Sequence, residues 1–198
     1  NSGTYYVSTD GDNGNCGSYD YPLSSIQLAI DLAESNDTVI VLPGTYNYPD
    51  EYSDNITIRE KDIILSSLYE IDGDSNHISN TVLNCQGICQ EINSHPTCIS
   101  TYGRLVSMCE TESEINGFTI TGQGSEGYGS GIKSYFASPT FKNIVVHSNV
   151  APMGDEGGGL CAYSSNITID NSSFYENTTM NSSGGGISAF LSNLNISN

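Results

Sequence analysis

Basic side chains are scarce: Arg59, Arg104, Lys61, Lys133 and Lys142 are the whole set against 23 acidic residues, leaving a net charge of −18. A nucleic-acid partner is disfavoured, because phosphate binding needs clustered Lys and Arg. Anionic membrane surfaces are disfavoured for the same reason. Tryptophan is absent. No run of 18 apolar residues occurs, so this sequence holds no membrane span. It also lacks a signal peptide, and reads as a mature secreted form or a fragment. No G-x-S-x-G, P-loop or dinucleotide fingerprint is found. Zinc is disfavoured by the lack of C-x-x-C pairs, with His95 alone near Cys98.

What is present is a repeat. Ile120, Val146 and Phe174 stand 26 and 28 residues apart, and Gln123, Asn149 and Asn177 keep the same step. Ile115, Phe141, Ile169 and Ile196 follow at 26, 28 and 27, and Gly131, Gly159 and Gly186 at 28 and 27. A fixed period of this size means stacked supersecondary units. Within each period the apolar residues alternate, as in Phe118 and Ile120, Ile144 and Val146, Ile167 and Ile169, which is strand spacing. Short strands joined by turns fill such a repeat, which excludes two-helix solenoids and fits one coil of a parallel β-helix. The triplets Gly157-Gly158-Gly159 and Gly184-Gly185-Gly186 would then lie one above another, permitting positive φ and close approach between coils.

The blocks at 138–160 and 166–187 resemble the coils of right-handed parallel β-helix surface proteins. They also resemble polymorphic outer-membrane-protein autotransporters, which pair a Phe-x-x-Asn element with a Gly-Gly-Ala-Ile/Leu/Val element. Phe174-Tyr175-Glu176-Asn177 matches the first, and Gly158-Gly159-Leu160 and Gly185-Gly186-Ile187 match the second with glycine in place of alanine. Residues 5–46 resemble the opening of secreted pectate-lyase-like proteins, where Tyr-Val-Ser, an Ile-Gln-x-Ala-Ile helix, Asp-Thr-Val and Pro-Gly-Thr-Tyr occur in this order. The fold class implied is all-β, a right-handed parallel β-helix with one N-terminal capping α-helix.

The whole chain, 1–198, reads as a single domain. Its first part, 1–46, supplies a strand and a helix over Pro22 to Ser35, whose stripe of Ile26, Ala29, Ile30 and Ala33 would cover the open first coil. Residues 47–112 hold the first coils and a cysteine-rich excursion at 85–112, expected to be pinned by disulfides. Regular coils of 26–28 residues fill 113–198 and stop in mid-repeat, so the solenoid is expected to continue or to stack beyond 198.

Six cysteines, Cys16, Cys85, Cys89, Cys98, Cys109 and Cys161, point to an oxidising compartment and up to three disulfides of undetermined pairing. Sequons begin at Asn36, Asn55, Asn166, Asn171, Asn177, Asn181 and Asn195. Asn171 and Asn177 share columns with other asparagines and read as structural turn or ladder residues, which leaves the remaining five as the preferred N-glycan sites. Asp72, Asp74 and Asn76 offer oxygens at alternate places, as at the start of a calcium loop, although His77 stands where such a loop needs glycine. No cofactor other than calcium is suggested.

Chemistry is harder to locate. A lyase would need acids and an Arg or Lys base on one face, yet Lys142 shares its column only with Asn116 and Asp170, and Lys133 with Cys161 and Ser188. A glycoside hydrolase needs two carboxylates on one face, for which Glu126, Asp155 and Glu156 are the candidates. The favoured reading is therefore a non-catalytic, glycosylated, extracellular structural or adhesive solenoid with a polysaccharide or cell-surface ligand. Head-to-tail stacking of its coils could build a fibre. The alternative is a carbohydrate-active enzyme of the pectate-lyase-like fold.

Overall fold

The computed structural model describes residues 2–53, 55–86, 104–122, 130–151, 157–180 and 184–198. The elements follow in order as β1 (Thr4–Val7), α1 (Ile26–Leu32), β2 (Thr38–Val41), β3 (Gly44–Tyr48), β4 (Ile56–Arg59) and β5 (Ile64–Ser67). Next come α2 (Tyr69–Asp72), α3 (Asn76–Asn80), β6 (Thr81–Cys85), β7 (Arg104–Cys109), β8 (Glu114–Asn116), β9 (Thr119–Thr121) and β10 (Ser130–Tyr135). The remainder is β11 (Thr140–Lys142), β12 (Val145–His147), β13 (Val150–Ala151), β14 (Leu160–Tyr163), β15 (Asn166–Asp170), β16 (Ser173–Tyr175), β17 (Thr178–Thr179), β18 (Ile187–Phe190) and β19 (Asn193–Ser197).

The strands form a parallel β-helix. Sheet A runs β1-β2-β5-β8-β11-β15-β19, sheet B runs β3-β6-β9-β12-β16, and sheet C runs β4-β7-β10-β14-β18, with β13 and β17 forming a small pair. All of these strand pairs are parallel, and the chain visits sheets A, B and C in turn. The columns read from the sequence are registers: Ile115 pairs with Phe141, Phe141 with Ile169 and Ile169 with Ile196. Ile120 likewise pairs with Val146 and Val146 with Phe174. The side chains of Ile115, Ile120, Phe141, Val146 and Ile169 join one core cluster that extends from Val7 to Ile169, Phe174 packs against it, and Ile196 in the last coil is exposed. Alternation explains this, since every second residue of a strand points inward and must be apolar when the neighbouring coil covers it.

The glycines act through proximity. A Cβ on Gly131 would stand 2.5 Å from the Gly159 carbonyl oxygen, and one on Gly159 would stand 2.6 Å from that of Gly186. Only glycine allows the coils to approach this closely. Gly157 and Gly184 hold positive φ, as expected of the triplets, and other corners do so without glycine. Where sheet C turns into sheet A, five non-glycine residues hold the left-handed conformation: Glu60, Glu110, Phe136, Ser164 and Leu191, with φ from 48 to 52°. Where sheet A turns into sheet B, Gly117, Asn143 and Asn171 do so, one per coil.

Helix α1 is shorter than the stretch from Pro22 to Ser35. Leu23 is taken by an extended bridge to β1, its N–H donating to Tyr6 and its carbonyl accepting from Ser8. The helix therefore starts after Ser25, whose Oγ accepts from the Leu28 N–H at 3.5 Å. At the other end Lys61 Nζ donates to the carbonyls of Ile30 and Ala33 at 2.9 and 2.8 Å, meeting orphan acceptors and the negative helix end together. Ile26, Ala29, Ile30 and Ala33 are all buried, as their spacing requires. The helix packs against β1, β2 and β4. It is not the sole helix, because α2 and α3 interrupt the path from β5 to β6.

The excursion is also narrower than 85–112. Residues 87–103 lie outside the described residues, but Arg104 to Cys109 form β7, buried along its whole length in sheet C. Arg104 is 1% exposed and donates through its guanidinium to the Gly157 carbonyl at 2.7 Å. It braces the coil stack from within and is no surface base.

Candidate functional site

Two outward faces gather side chains that could bind or react. On sheet A, Lys142 Nζ meets Glu114 Oε2 at 2.7 Å. Glu114 raises the pKa of this ammonium, and Glu70 and Asp170 add to the effect. Asn116 Nδ2 donates to Glu70 Oε2 at 2.6 Å, and an amide ladder continues from Asn143 to Asn116 and from Asn171 to Asn143. The Lys142 column alone contains Asp170; Glu114 comes from the next outward column and Glu70 from α2, neither of which the spacing revealed. Acids and a base do gather here, yet the acids hold Lys142 protonated, whereas a lyase base must be free to accept a proton.

Sheet C carries an aromatic row. Its register aligns Tyr135 with Tyr163 and Tyr163 with Phe190 on the outer side. Tyr135 and Tyr163 stack with centroids 4.9 Å apart and planes 10° apart, and Tyr163 and Phe190 follow at 5.3 Å and 21°. Coil spacing is what makes this possible, since neighbouring strands lie at about the separation of stacked rings. Phe136 stands beside the stack, 4.8 Å and 87° from Tyr135 and 6.0 Å and 82° from Tyr163. Its plane therefore runs along the stack and bridges two coils. Phe136 is 46% exposed, Phe190 54% and Leu191 73%, forming an apolar rim. The Lys133 ammonium lies 5.6 Å from the Tyr135 ring centroid, in cation–π range. On sheet B, His147 and Tyr175 stack at 5.0 Å and 3°.

The other sequence candidates are dispersed. Glu126, Asp155, Glu156 and Asn181 lie outside the described residues. Asp72 is engaged by the N–H of Asp74, which lowers its pKa, and by His77 Nε2 at 3.1 Å; Asp74 accepts from the backbone and amide N–H groups of Asn76. Among the described residues no group of three His, Cys, Asp or Glu is placed to hold a metal ion. Asn36, Asn166, Asn171 and Asn195 are exposed. Asn177 is 9% exposed and laddered to Asn149. Asn55, expected as a glycan site, is 6% exposed just before β4, its carbonyl accepting from Ser53 Oγ at 2.7 Å.

Of the six cysteines, expected to form up to three disulfides, Cys16 carries an exposed free thiol. Cys16 lies in the exposed loop after β1, its thiol donating to Ser18 Oγ at 3.5 Å, and Cys161 sits on β14. Cys85 and Cys109, both buried, are disulfide-bonded, and Cys89 and Cys98 lie outside the described residues. Among the described residues no helix is long and apolar enough to cross a membrane.

Register and outward rows together define a parallel β-helix protein with an aromatic-lined face. The chain belongs to the DUF1565 family, whose model, described as a protein of unknown function, matches residues 9–192. No curated protein matches. Among solved structures, a pectin methylesterase in complex with hexasaccharide VII is similar at 10% identity and a TM-score of 0.48, over 97% of this chain and 66% of that one. Pectin methylesterase PemA from Erwinia chrysanthemi is similar at 10% identity and a TM-score of 0.47, over 83% of this chain and 49% of that one. A GH136 lacto-N-biosidase from Eubacterium ramulus is similar at 16% identity and a TM-score of 0.45, over 98% of this chain and 30% of that one. The chain thus spans less than two thirds of the length of each.

Proposed function

We propose that this chain is the carbohydrate-recognising part of an extracellular carbohydrate-active protein, with the outer face of sheet C as the recognition surface. The observation that carries this reading is the aromatic row of Tyr135, Tyr163 and Phe190 with Phe136 beside it, a set of rings at a solvent-exposed edge of the solenoid. A sugar ring has apolar C–H faces and a polar rim. Aromatic rings cover the former at a low cost in side-chain entropy, while tyrosine hydroxyls and Lys133 reach the latter. Helix α1 serves as the cap that keeps the first strand of sheet C from pairing with another chain. Catalysis, where it occurs, would fall to Glu126, Asp155 and Glu156, which precede β10 and β14 in the sequence.

The experiment is affinity electrophoresis in gels cast with neutral or acidic polysaccharides, comparing wild type with Tyr163→Ala. Retardation of wild type that the variant loses supports the reading. Equal mobility of both proteins in every gel overturns it.

A further inference from the structure

Phe136 occupies the left-handed region with φ of 49°, where a bulky residue is a genuine outlier. The same corner is filled by Glu60, Glu110, Ser164 and Leu191 in the other coils, so the turn geometry is general and the choice of side chain is local. Glycine or asparagine would satisfy that backbone with less strain. Two of the five positions instead carry large apolar side chains, Phe136 and Leu191, both exposed. Backbone strain retained at an exposed position is a pointer to use.

The rings define what that use requires. A stack such as Tyr135–Tyr163–Phe190 shows solvent mainly its edges. Phe136 is the ring turned across it, with its plane along the coil axis and 46% of the residue exposed. Its N–H donates to the Tyr163 carbonyl at 3.1 Å, so the strained corner is also tied into the ladder. Ser164 and Leu191 follow at one-coil steps of about 5 Å. An extended ligand lying along the axis would meet an aromatic ring, a hydroxyl and an aliphatic side chain in that order.

Charge narrows the ligand. At −18 the chain repels polyuronates, sulfated glycans and second copies of itself. The row offers rings with Lys133 beside them, and Glu110, one coil before Phe136 on the same corner, adds a further charge against an anionic ligand.

We infer that Phe136 is the platform of a subsite for a neutral glycan, held along the Phe136–Ser164–Leu191 corner of sheet C. This rests on the carbohydrate reading of that face and deepens it. Tyr135 and Tyr163 are positioning residues that fix the Phe136 ring, and Lys133 donates to ligand hydroxyls at its margin.

The test uses the chain as it stands, with Phe136→Gly and Phe136→Tyr, titrated calorimetrically with neutral oligosaccharides and with oligogalacturonate. Glycine suits the left-handed corner, so Phe136→Gly should melt at the wild-type temperature or higher while losing about tenfold or more in affinity for the neutral glycan. Phe136→Tyr should bind as wild type does. Undiminished binding by Phe136→Gly, or preferential binding of oligogalacturonate by wild type, overturns this inference and leaves the broader carbohydrate reading standing. A wild-type protein that binds no glycan at all overturns both.

Discussion

Tyr163 lies flat against Tyr135, with centroids 4.9 Å apart and planes 10° apart, because the two residues are directly paired across β10 and β14. The contact therefore follows from the period of the coil. Replacing Tyr163 by alanine removes the middle ring of the row and leaves the core untouched, since the side chain points outward. The expected outcome is a loss of stability of about 1 kcal/mol by chemical denaturation, the worth of an aromatic pair, together with loss of retardation in polysaccharide gels.

The amide of Gln27 does what a strand would do. Its Oε1 accepts from the Thr57 N–H at 2.7 Å and its Nε2 donates to the Thr57 carbonyl at 3.1 Å, closing the outer edge of β4. Gln27→Ala leaves both backbone groups without protein partners at a sheet edge. It should cost about 2 kcal/mol in urea denaturation and raise aggregation followed by light scattering.

Asn177 is a hub between coils. Its Oδ1 accepts from the backbone N–H and the amide of Asn149 at 3.1 and 2.9 Å, and its Nδ2 donates to the Val146 carbonyl at 2.9 Å. Asn177→Ala should destabilise by about 3 kcal/mol, because buried donors lose their acceptor. In a chain secreted from yeast, peptide mapping by mass spectrometry should find glycan on exposed Asn36 and none on Asn177 or Asn55.

Asp37 ties the N-terminal strand down. Its carboxylate accepts from the N–H groups of Glu34 and Gly3, which hold its pKa below the ordinary value. A depressed folded pKa gives stability that is present above the unfolded value, near pH 4, and is lost as the pH falls through the folded pKa. Wild type should therefore be more stable than Asp37→Asn at neutral pH. The difference should shrink on acidification below about pH 4, as followed by thermal melts across pH.

Much of this fold was legible because each coil repeats one inward requirement. Ile115, Phe141, Ile169 and Ile196 are spaced as they are because they stack, and parallel strands in register can be read from spacing alone. Tyr135, Tyr163 and Phe190 keep the same 28- and 27-residue steps, so the aromatic row is written in the spacing as plainly as the apolar columns are. The left-handed corners between sheets C and A carried none, since Phe136, Glu110 and Leu191 are not residues whose chemistry announces positive φ, whereas Gly117, Asn143 and Asn171 between sheets A and B are. Strand β7 was hidden by its neighbouring cysteines, and α2, which brings Glu70 to Lys142, by a run of acids that resembles a calcium loop.

The central claim is that carbohydrate binds to the outer face of sheet C. Titrating a neutral oligosaccharide into protein labelled on its aromatic rings, and following ring proton shifts by NMR, tests it directly. Saturable shifts concentrated on Tyr135, Phe136, Tyr163 and Phe190, with Tyr5, Tyr52 and Tyr69 unmoved, are the predicted result. Shifts confined to the surroundings of Lys142 and Glu114 on sheet A, or none anywhere, would contradict it.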